Sequence, residues 1–238
     1  MNPLRWSWKR WLVAVVVVGF LGAVGGPFVY IHFVEGAPPK KLSLDSVRPT
    51  ASGSTPASSG PADSGSVEGA WKVGADSKVG YRVKETLFGQ STTAVGRTSD
   101  VTGRLTIAGT TVNDASFTAQ MATVKSDQSN RDGQFRGRIM DVEKFPTSTF
   151  VISKPLDLGA LPAEGVVKTY QVSGKLTLHG VTKDVTIDLS AKLTGGAIAI
   201  NGEIPIHFPD YSIPNPTFGP ASVGDDGTLE VLLALTKS

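Results

Sequence analysis

The sequence predicts an all-β domain, an antiparallel barrel or sandwich with one short helix, preceded by an N-terminal transmembrane helix and a disordered linker. Two observations predict the β class. Apolar residues recur at every second position through most of residues 70–238, as in strands with one buried face. Turn-forming stretches such as AGTTVNDA, LHGVTKD and TGGA separate these runs at short intervals, which suits hairpins rather than the long crossovers of parallel strands.

The N-terminus predicts a membrane span over residues 11–34, a run without Asp, Glu, Lys or Arg. A helix of about 20 apolar residues crosses the bilayer core. Basic residues and tryptophans stand at the start of this run: Arg5, Lys9, Arg10, Trp6, Trp8 and Trp11. By the positive-inside rule, residues 1–10 are expected in the cytoplasm and the rest of the chain outside the cell membrane. A cleaved signal peptide is the alternative, but the apolar run is longer than usual and lacks a clean small-x-small site.

Residues 35–69 are dominated by Pro, Ser, Gly, Ala and Thr and show no apolar periodicity. A segment of this composition cannot bury enough apolar surface to fold. As a random coil it would span on the order of 30 Å. The sequence therefore predicts a flexible tether that lets a folded domain of residues 70–238 work near the membrane surface.

The charge and cysteine content of the folded domain exclude several classes of function. Residues 70–238 contain 17 Lys and Arg against 17 Asp and Glu, so the domain lacks the basic excess of a nucleic-acid-binding protein. The chain contains no cysteine, which excludes disulfides, thiolate nucleophiles and Cys-based zinc sites.

The period-two alternation predicts half-buried strands through the whole domain. The residues predicted to share the buried face are Val79, Tyr81, Val83, Val101, Gly103, Leu105, Ile107, Phe117, Ala119, Met121, Tyr170, Val172, Gly174, Leu176, Leu178, Val185, Ile187, Leu189, Ile198, Ile200, Gly202, Ile204, Ile206, Leu229, Val231, Leu233 and Leu235. Glycines at three of these positions favour tight bends in a closing sheet. The alternative is that they are gaps filled by neighbouring side chains.

One stretch, RDGQFRGRIMDVEKFPTSTF, departs from the alternation and predicts a short helix. Phe135, Ile139 and Val142 recur at helical spacing, and Asp132 lies just before the first turn. Pro146 ends the helix, after which alternation resumes. We expect this helix to cap or flank the barrel.

The residues SNRDGQFRGRIMDVEKFPTSTF, followed by YQVSGKLTLHGVTKDVTIDL, resemble the paired signature of the YceI-like family. The matching positions are Arg131, Asp132, Phe145, Pro146, Phe150, Gly174, Leu176, Thr177, Gly180, Val181, Thr182 and Lys183. The resemblance covers residues 71–238. It implies a lipocalin-like antiparallel β-barrel whose apolar interior holds an isoprenoid chain.

The sequence departs from the family pattern in two places. The segment KETLFGQSTTAVGRTSD, residues 84–100, is interpreted as a loop that is longer and more polar than expected after the first strand. A membrane anchor replaces the usual secreted or periplasmic leader. Both departures bear on which ligand the barrel would take.

The resemblance and the strand phase together give a set of candidate ligand-binding residues. Ordinary core packing is the alternative interpretation of the apolar members, because every barrel needs inward apolar residues. The candidates are Tyr81, Phe117, Ala119, Met121, Phe135, Phe145, Phe150, Leu176, Leu178 and Arg131. For Arg131, the conservative interpretation is an ion pair at the helix start, and the alternative is a contact with the polar head of a lipid.

No pattern in the sequence indicates catalysis or a metal site. His32, His179 and His207 are far apart and lack the spacing that brings ligands onto one face. No serine stands in a nucleophile elbow. We therefore expect a non-enzymatic protein that binds an apolar, isoprenoid-like lipid and needs no other cofactor. The alternative is a filled barrel that contacts a protein partner as an envelope interaction or stress-response module, through its outer face or the 84–100 segment.

Overall fold

The computed structural model describes residues 15–16, 37–47 and 67–238 of the chain. The predicted cytoplasmic segment 1–10 lies outside these residues, as does the predicted span 11–34 apart from residues 15–16. Within the described part of the chain, no helix has both the length and the apolar character needed to cross a bilayer.

The domain is all-β, as the alternation predicts, and all its strand pairs are antiparallel. The strands are β1 (Gly69–Val73), β2 (Lys78–Leu87), β3 (Gln90–Thr98), β4 (Val101–Ala108), β5 (Thr111–Gln120), β6 (Thr147–Ile152), β7 (Leu156–Asp157), β8 (Lys168–Leu178), β9 (Val181–Thr194), β10 (Ala197–His207), β11 (Ala221–Val223) and β12 (Asp226–Lys237).

The sheet closes into a barrel with eight positions around its circumference. Strands β1 and β2 share one position, because both pair with β12, and β3 and β4 share the next. The ring then runs through β5, β6, β8, β9, β10 and β12. Between β1 and β2 the ladder is bridged by Ser77, whose hydroxyl accepts a hydrogen bond from the Ala234 amide at 3.0 Å. The short strands β7 and β11 pair with β5 and β2.

The segment 84–100, predicted to be a loop, is instead a long hairpin, so that prediction is wrong. β2 continues to Leu87 and β3 begins at Gln90, joined by a two-residue turn. Both turn residues have positive φ, 50° at Phe88 and 81° at Gly89. This is the combination that matches the right-handed twist of two strands. The sequence did not indicate the turn because Phe-Gly lacks the Asn or Asp usually found there.

The predicted helix is present, but it begins and ends earlier in the sequence than predicted. Its hydrogen-bonding pattern also changes from α-helical to π-helical along its length. An α-helix, α1, spans Ser129–Gln134 and continues as a π-helical turn over Phe135–Ile139. In the π turn the Met140 amide donates to the Phe135 carbonyl at 2.9 Å. Such i+5 bonding widens the turn and accompanies the burial of both Phe135 and Met140. A regular α-helical period of 3.6 residues does not predict that Phe135 and Met140, five residues apart, are buried together.

Residues 37–47, predicted to be part of the flexible tether, lie against the outer wall of the barrel, and we call them the strap. Apolar strap residues pack on outward-facing residues of β10 and β12, in a cluster of Leu42, Leu44, Val47, Ala199, Leu232 and Ala234. Polar contacts add to this packing, including a hydrogen bond of 3.2 Å from the Asn201 side-chain amide to the Leu42 carbonyl. The tether prediction is therefore wrong for residues 37–47. Residues 35–36 and 48–66 lie outside the described residues.

The strap also covers a buried ion cluster. Glu230 on β12 is 1% exposed, and its carboxylate accepts hydrogen bonds from Arg82 Nε at 2.6 Å and from Arg97 Nη2 at 2.6 Å. Each guanidinium also donates to a strap carbonyl, Arg82 to Pro39 and Arg97 to Lys40. The strap thus supplies hydrogen-bond acceptors to two charges that it helps to remove from water, and buried ion pairs depend on such additional hydrogen bonds.

Candidate ligand-binding cavity

The barrel is hollow over much of its length. A cavity of about 380 Å³ lies between the strands and α1, within the range typical of small-molecule sites. Each of the eight positions of the ring contributes apolar residues to its lining. The strand ends farthest from α1 do not take part. The lining includes Val79, Val83, Leu87, Ala94, Val101, Ile139, Ile187, Leu189, Ile200, Ile204, Ile206, Phe208, Ile213, Val223, Leu229, Val231 and Leu233. We call this space the main chamber.

Strand glycines explain how a barrel with so many large inward residues stays hollow. A methyl group added at Gly103 would overlap the ring of Phe117, and one at Gly174 would overlap the ring of Phe150. The same relation holds between Gly96 and Tyr81. Each large side chain therefore lies across a neighbouring glycine, in space that a side chain at the glycine position would otherwise occupy. These contacts agree with the alternative interpretation of the predicted glycines, in which neighbouring side chains fill the spaces.

The chamber opens to solvent between α1 and the segment joining the turn Phe208–Tyr211 to β11. The lining residues Asn130 and Phe218 are exposed there, and Phe218 is 59% exposed. Phe135 is buried below this opening and stacks on Tyr81, with ring centroids 5.2 Å apart. Helix α1 thus forms part of the mouth, and its first π-turn residue seals one side.

Polar groups are concentrated at this mouth. Gln128, Asn130, Arg131 and Gln134 line it. Burial raises the pKa of the Tyr81 hydroxyl, an effect only partly offset by the nearby Arg131 charge.

Arg131 lies at the mouth in an ion-paired state. Its guanidinium donates to Glu85 Oε1 at 3.0 Å and also pairs with Asp127. The neighbouring Asp132 accepts hydrogen bonds from the Ser126 amide at 2.8 Å and hydroxyl at 2.7 Å. These contacts agree with the conservative interpretation, in which Arg131 is bridged to carboxylates near the helix start.

The structure brings nine of the ten predicted site residues together around the main chamber. They are Tyr81, Phe117, Ala119, Met121, Phe135, Phe150, Leu176, Leu178 and Arg131. Phe145 lies elsewhere and corrects that part of the prediction. Its ring meets His179 edge to face at 4.6 Å and covers Gly180 in the β8–β9 turn.

The site prediction missed the lining contributed by β10 and β12. Ile200, Ile204 and Ile206 line the chamber from β10, and Leu229 and Leu233 do so from β12. These residues were predicted to be inward by the alternation. What the sequence did not indicate was which inward residues border empty space and which pack against one another.

A second, smaller cavity of about 120 Å³ lies towards the opposite end of the barrel, and we call it the far chamber. It is lined by residues of β4, β5, β6, β8, β9 and β10 and by the segment joining β7 to β8. The lining includes Val67, Leu105, Ile107, Val112, Ala115, Ile152, Leu158, Leu161, Pro162, Tyr170, Val172 and Leu193.

The two described histidines are each tied to a neighbour at the mouth end of the barrel. His179 lies in the β8–β9 turn, and its Nδ1 is 3.2 Å from the Tyr211 carbonyl oxygen. His207 Nδ1 is 2.9 Å from Asp226 Oδ1 across the β10–β12 ladder. The residues that line the main chamber are mostly aliphatic and aromatic and are suited to holding an apolar molecule by packing.

Comparison with known proteins supports the same architecture. A family model of a YceI-like domain matches residues 71–235. No similar curated protein was found. Among solved structures, a polyisoprenoid-binding domain from Saccharophagus degradans implicated in plant cell wall breakdown is 18% identical, with a TM-score of 0.58. The alignment covers 71% of this chain and 98% of that one.

A second solved structure, BcnA of Burkholderia cenocepacia, is 22% identical, with a TM-score of 0.53. That alignment covers 68% of this chain and 98% of the other. Both solved chains consist almost entirely of the barrel domain. Because the family model spans the barrel from β1 into β12, and so more than half of the sequence, this chain belongs to the YceI-like family.

Proposed function

We propose that this protein is a membrane-anchored, extracytoplasmic lipid-binding protein that holds an isoprenoid chain in the main chamber without changing it chemically. The observation that carries the proposal is the main chamber itself, about 380 Å³ and lined almost throughout by aliphatic and aromatic side chains. The Saccharophagus degradans relative is described as a polyisoprenoid-binding domain, which is consistent with an isoprenoid ligand.

The energetics suit a carrier. Removing some 400 Å² of isoprenoid surface from water would contribute roughly 10 kcal/mol at about 25 cal/mol/Å². A bilayer offers the chain nearly the same apolar environment, so the net affinity for a lipid already in a membrane should be modest. Exchange between protein and membrane then remains possible.

The acidic side chains around Arg131 favour a neutral head group. Arg131 is already paired with Glu85 and Asp127, so the three side chains together carry more negative than positive charge. A diphosphate would meet this excess at close range, whereas an alcohol or quinone head can use the Tyr81 hydroxyl and the amides of Gln128 and Gln134. A polyprenol is therefore the appropriate probe.

The direct test uses a fragment of residues 37–238, which keeps the strap and the closed barrel. The barrel has its own core, and the solved relatives show that such a domain exists alone. Mass spectrometry of an organic extract should reveal an isoprenoid lipid, or a fluorescent polyprenol should load into the purified fragment. A fragment that extracts clean and binds no probe would rule out the proposal.

Filling the main chamber should abolish binding before it unfolds the protein. We expect Ala119→Trp and Met121→Trp each to reduce polyprenol binding at least tenfold, because both residues line the chamber. The stability cost of overpacking should be about 1–3 kcal/mol. Val151→Trp is the matched control, since Val151 lies on the outer face of β6 and is 39% exposed. Equal binding by all three variants would contradict the assignment of the chamber.

The membrane anchor is part of the proposal and rests on the charge-free run of residues 11–34. Only residues 35 and 36 separate this run from the strap, so the barrel would be held beside the membrane rather than at the end of a long tether. This arrangement would keep the chamber close to its lipid supply.

The full chain should fractionate with membranes and resist washing with high salt, while the 37–238 fragment should remain in the soluble fraction. A span of this length inserts essentially irreversibly, whereas salt screens an electrostatic association. Release of the full chain by salt would contradict the anchor.

A further inference from the structure

The main chamber and the far chamber adjoin inside the barrel. Four residues line both the main chamber and the far chamber: Phe117, Phe150, Leu189 and Ile200. They come from four different strands, β5, β6, β9 and β10. We call these four residues the waist.

Three of the four waist residues lie over glycines of adjacent strands. Phe117 lies across Gly103, Phe150 across Gly174 and Leu189 across Gly202, with no room for a methyl group at any of the three glycines. Phe117 and Phe150 are also direct cross-strand partners. The waist is thus a built feature of the wall rather than a chance narrowing.

The far chamber is lined mainly by apolar side chains and suits an apolar group. Its single charged lining residue is Lys192, whose ammonium is 3.0 Å from Asp45 Oδ1 on the strap. The polar residues that could meet a head group, Gln128, Asn130, Arg131 and Gln134, all lie at the mouth of the main chamber. A bound chain would therefore enter tail first, and its tail end would be the part that reaches the waist.

We propose that the far chamber is a separate subsite for the tail of a longer isoprenoid chain, and that the waist sets the chain length the protein retains. This inference rests on the proposed isoprenoid-binding function. The far chamber adds about 120 Å³ to about 380 Å³, roughly a third more space. Opening the waist should lengthen the retained chain by up to about a third, and narrowing it should shorten the chain.

Substitutions at Leu189 and at Gly202, the glycine that it covers, allow the waist to be widened or narrowed. Leu189→Ala removes most of the Leu189 side chain from the waist. Gly202→Ala places a methyl group where Leu189 Cδ2 now lies and pushes that side chain inward, with the nearest backbone atom, the Asp188 carbonyl oxygen, at 3.1 Å. Neither residue is among those named at the mouth, so the effect of each change should be read in the length of the retained chain.

The experiment offers the 37–238 fragment an equimolar ladder of all-trans polyprenols of successive length and identifies the retained molecules by mass spectrometry. Relative to wild type, Leu189→Ala should shift the most abundant length upward by at least one isoprene unit, and Gly202→Ala should shift it downward. If Leu189→Ala does not fold, as judged by circular dichroism, Leu189→Val makes the same test with a smaller shift.

Two controls separate the waist from simple changes of volume. Ile187→Ala enlarges only the main chamber, since Ile187 does not line the far chamber, and should leave the preferred length unchanged. Val172→Phe fills only the far chamber. Combined with Leu189→Ala, it should cancel the upward shift.

The outcomes distinguish this inference from the proposed function. If wild type retains no polyprenol of any length, the binding function itself fails. If wild type and Leu189→Ala load equally well and retain the same lengths, or if Ile187→Ala gives the same shift as Leu189→Ala, binding stands and the waist is not the determinant of length.

Discussion

Replacing Glu230 by alanine is expected to lower the free energy of unfolding by about 3–5 kcal/mol, the range for removing one partner of a buried ion pair. Glu230 is 1% exposed, and its carboxylate is the common partner of Arg82 and Arg97. Without it, two guanidinium groups remain beneath the strap with only the carbonyls of Pro39 and Lys40 as described acceptors. Urea denaturation of the 37–238 fragment measures the loss.

Glu203→Ala is the matched control for this change. Glu203 is the cross-strand neighbour of Glu230 on the same outer face, and its ion pair with Lys41 is exposed on both sides. Exposed pairs of this kind contribute about 0–1 kcal/mol. Similar losses for the two variants would mean that burial beneath the strap has no energetic consequence.

The strap itself supplies a second control. In a fragment that begins at Val67, water can reach Arg82 and Arg97 directly, so Glu230→Ala should cost markedly less than in the 37–238 fragment. A cost that does not depend on the strap would show that the cluster is buried by the sheet alone.

Replacing Phe135 by aspartate is expected to destabilise the domain by about 3–5 kcal/mol from lost aromatic packing, before any cost of placing a carboxylate near the apolar lumen. Phe135 is 9% exposed, stacks on Tyr81 and borders the main chamber. The variant should also lose polyprenol binding, because the mouth would no longer be sealed on the side of α1. Thermal melting and probe binding measure the two effects.

Gly133→Asp is the matched control in the same helix. A side chain at Gly133 meets no atom within 4 Å, so the same aspartate should change stability by no more than about 0.5 kcal/mol. Arg138→Ala would be a less suitable control, although Arg138 is exposed. Arg138 donates hydrogen bonds to the Asn215 and Pro216 carbonyls and so connects the helix to the mouth segment. Equal melting temperatures for Phe135→Asp and Gly133→Asp would contradict the assigned helix face.

The sequence by itself determined which face of each strand is inward, because side chains alternate with a period of two and burial on one side leaves a regular apolar pattern. Phe117, Ala119 and Leu176 were placed correctly for this reason. The motif around Arg131 and the LHGVTKD hairpin was specific enough to identify the YceI-like family, which the family match over residues 71–235 confirmed. Local signals of this kind do not depend on the rest of the fold.

Only the tertiary structure decided whether the inward residues fill the barrel. Alternation is the same in a packed core and in a hollow one, and the difference depends on side chains that lie across glycines of a neighbouring strand, as Phe150 does at Gly174. The two partners of each such contact are distant in sequence. The same limitation explains why Phe145 was assigned to the site although it packs at His179.

The strap and the ion cluster beneath it were likewise decided by long-range contacts. Residues 37–47 have the composition of a linker, and their position depends on a complementary outer surface formed by β10 and β12. Glu230 looks like an ordinary outward strand residue until the strap covers it and Arg82 and Arg97 converge on it. Sequence periodicity reports the burial that one element creates for itself, whereas burial created by a distant segment is visible only once the chain has folded.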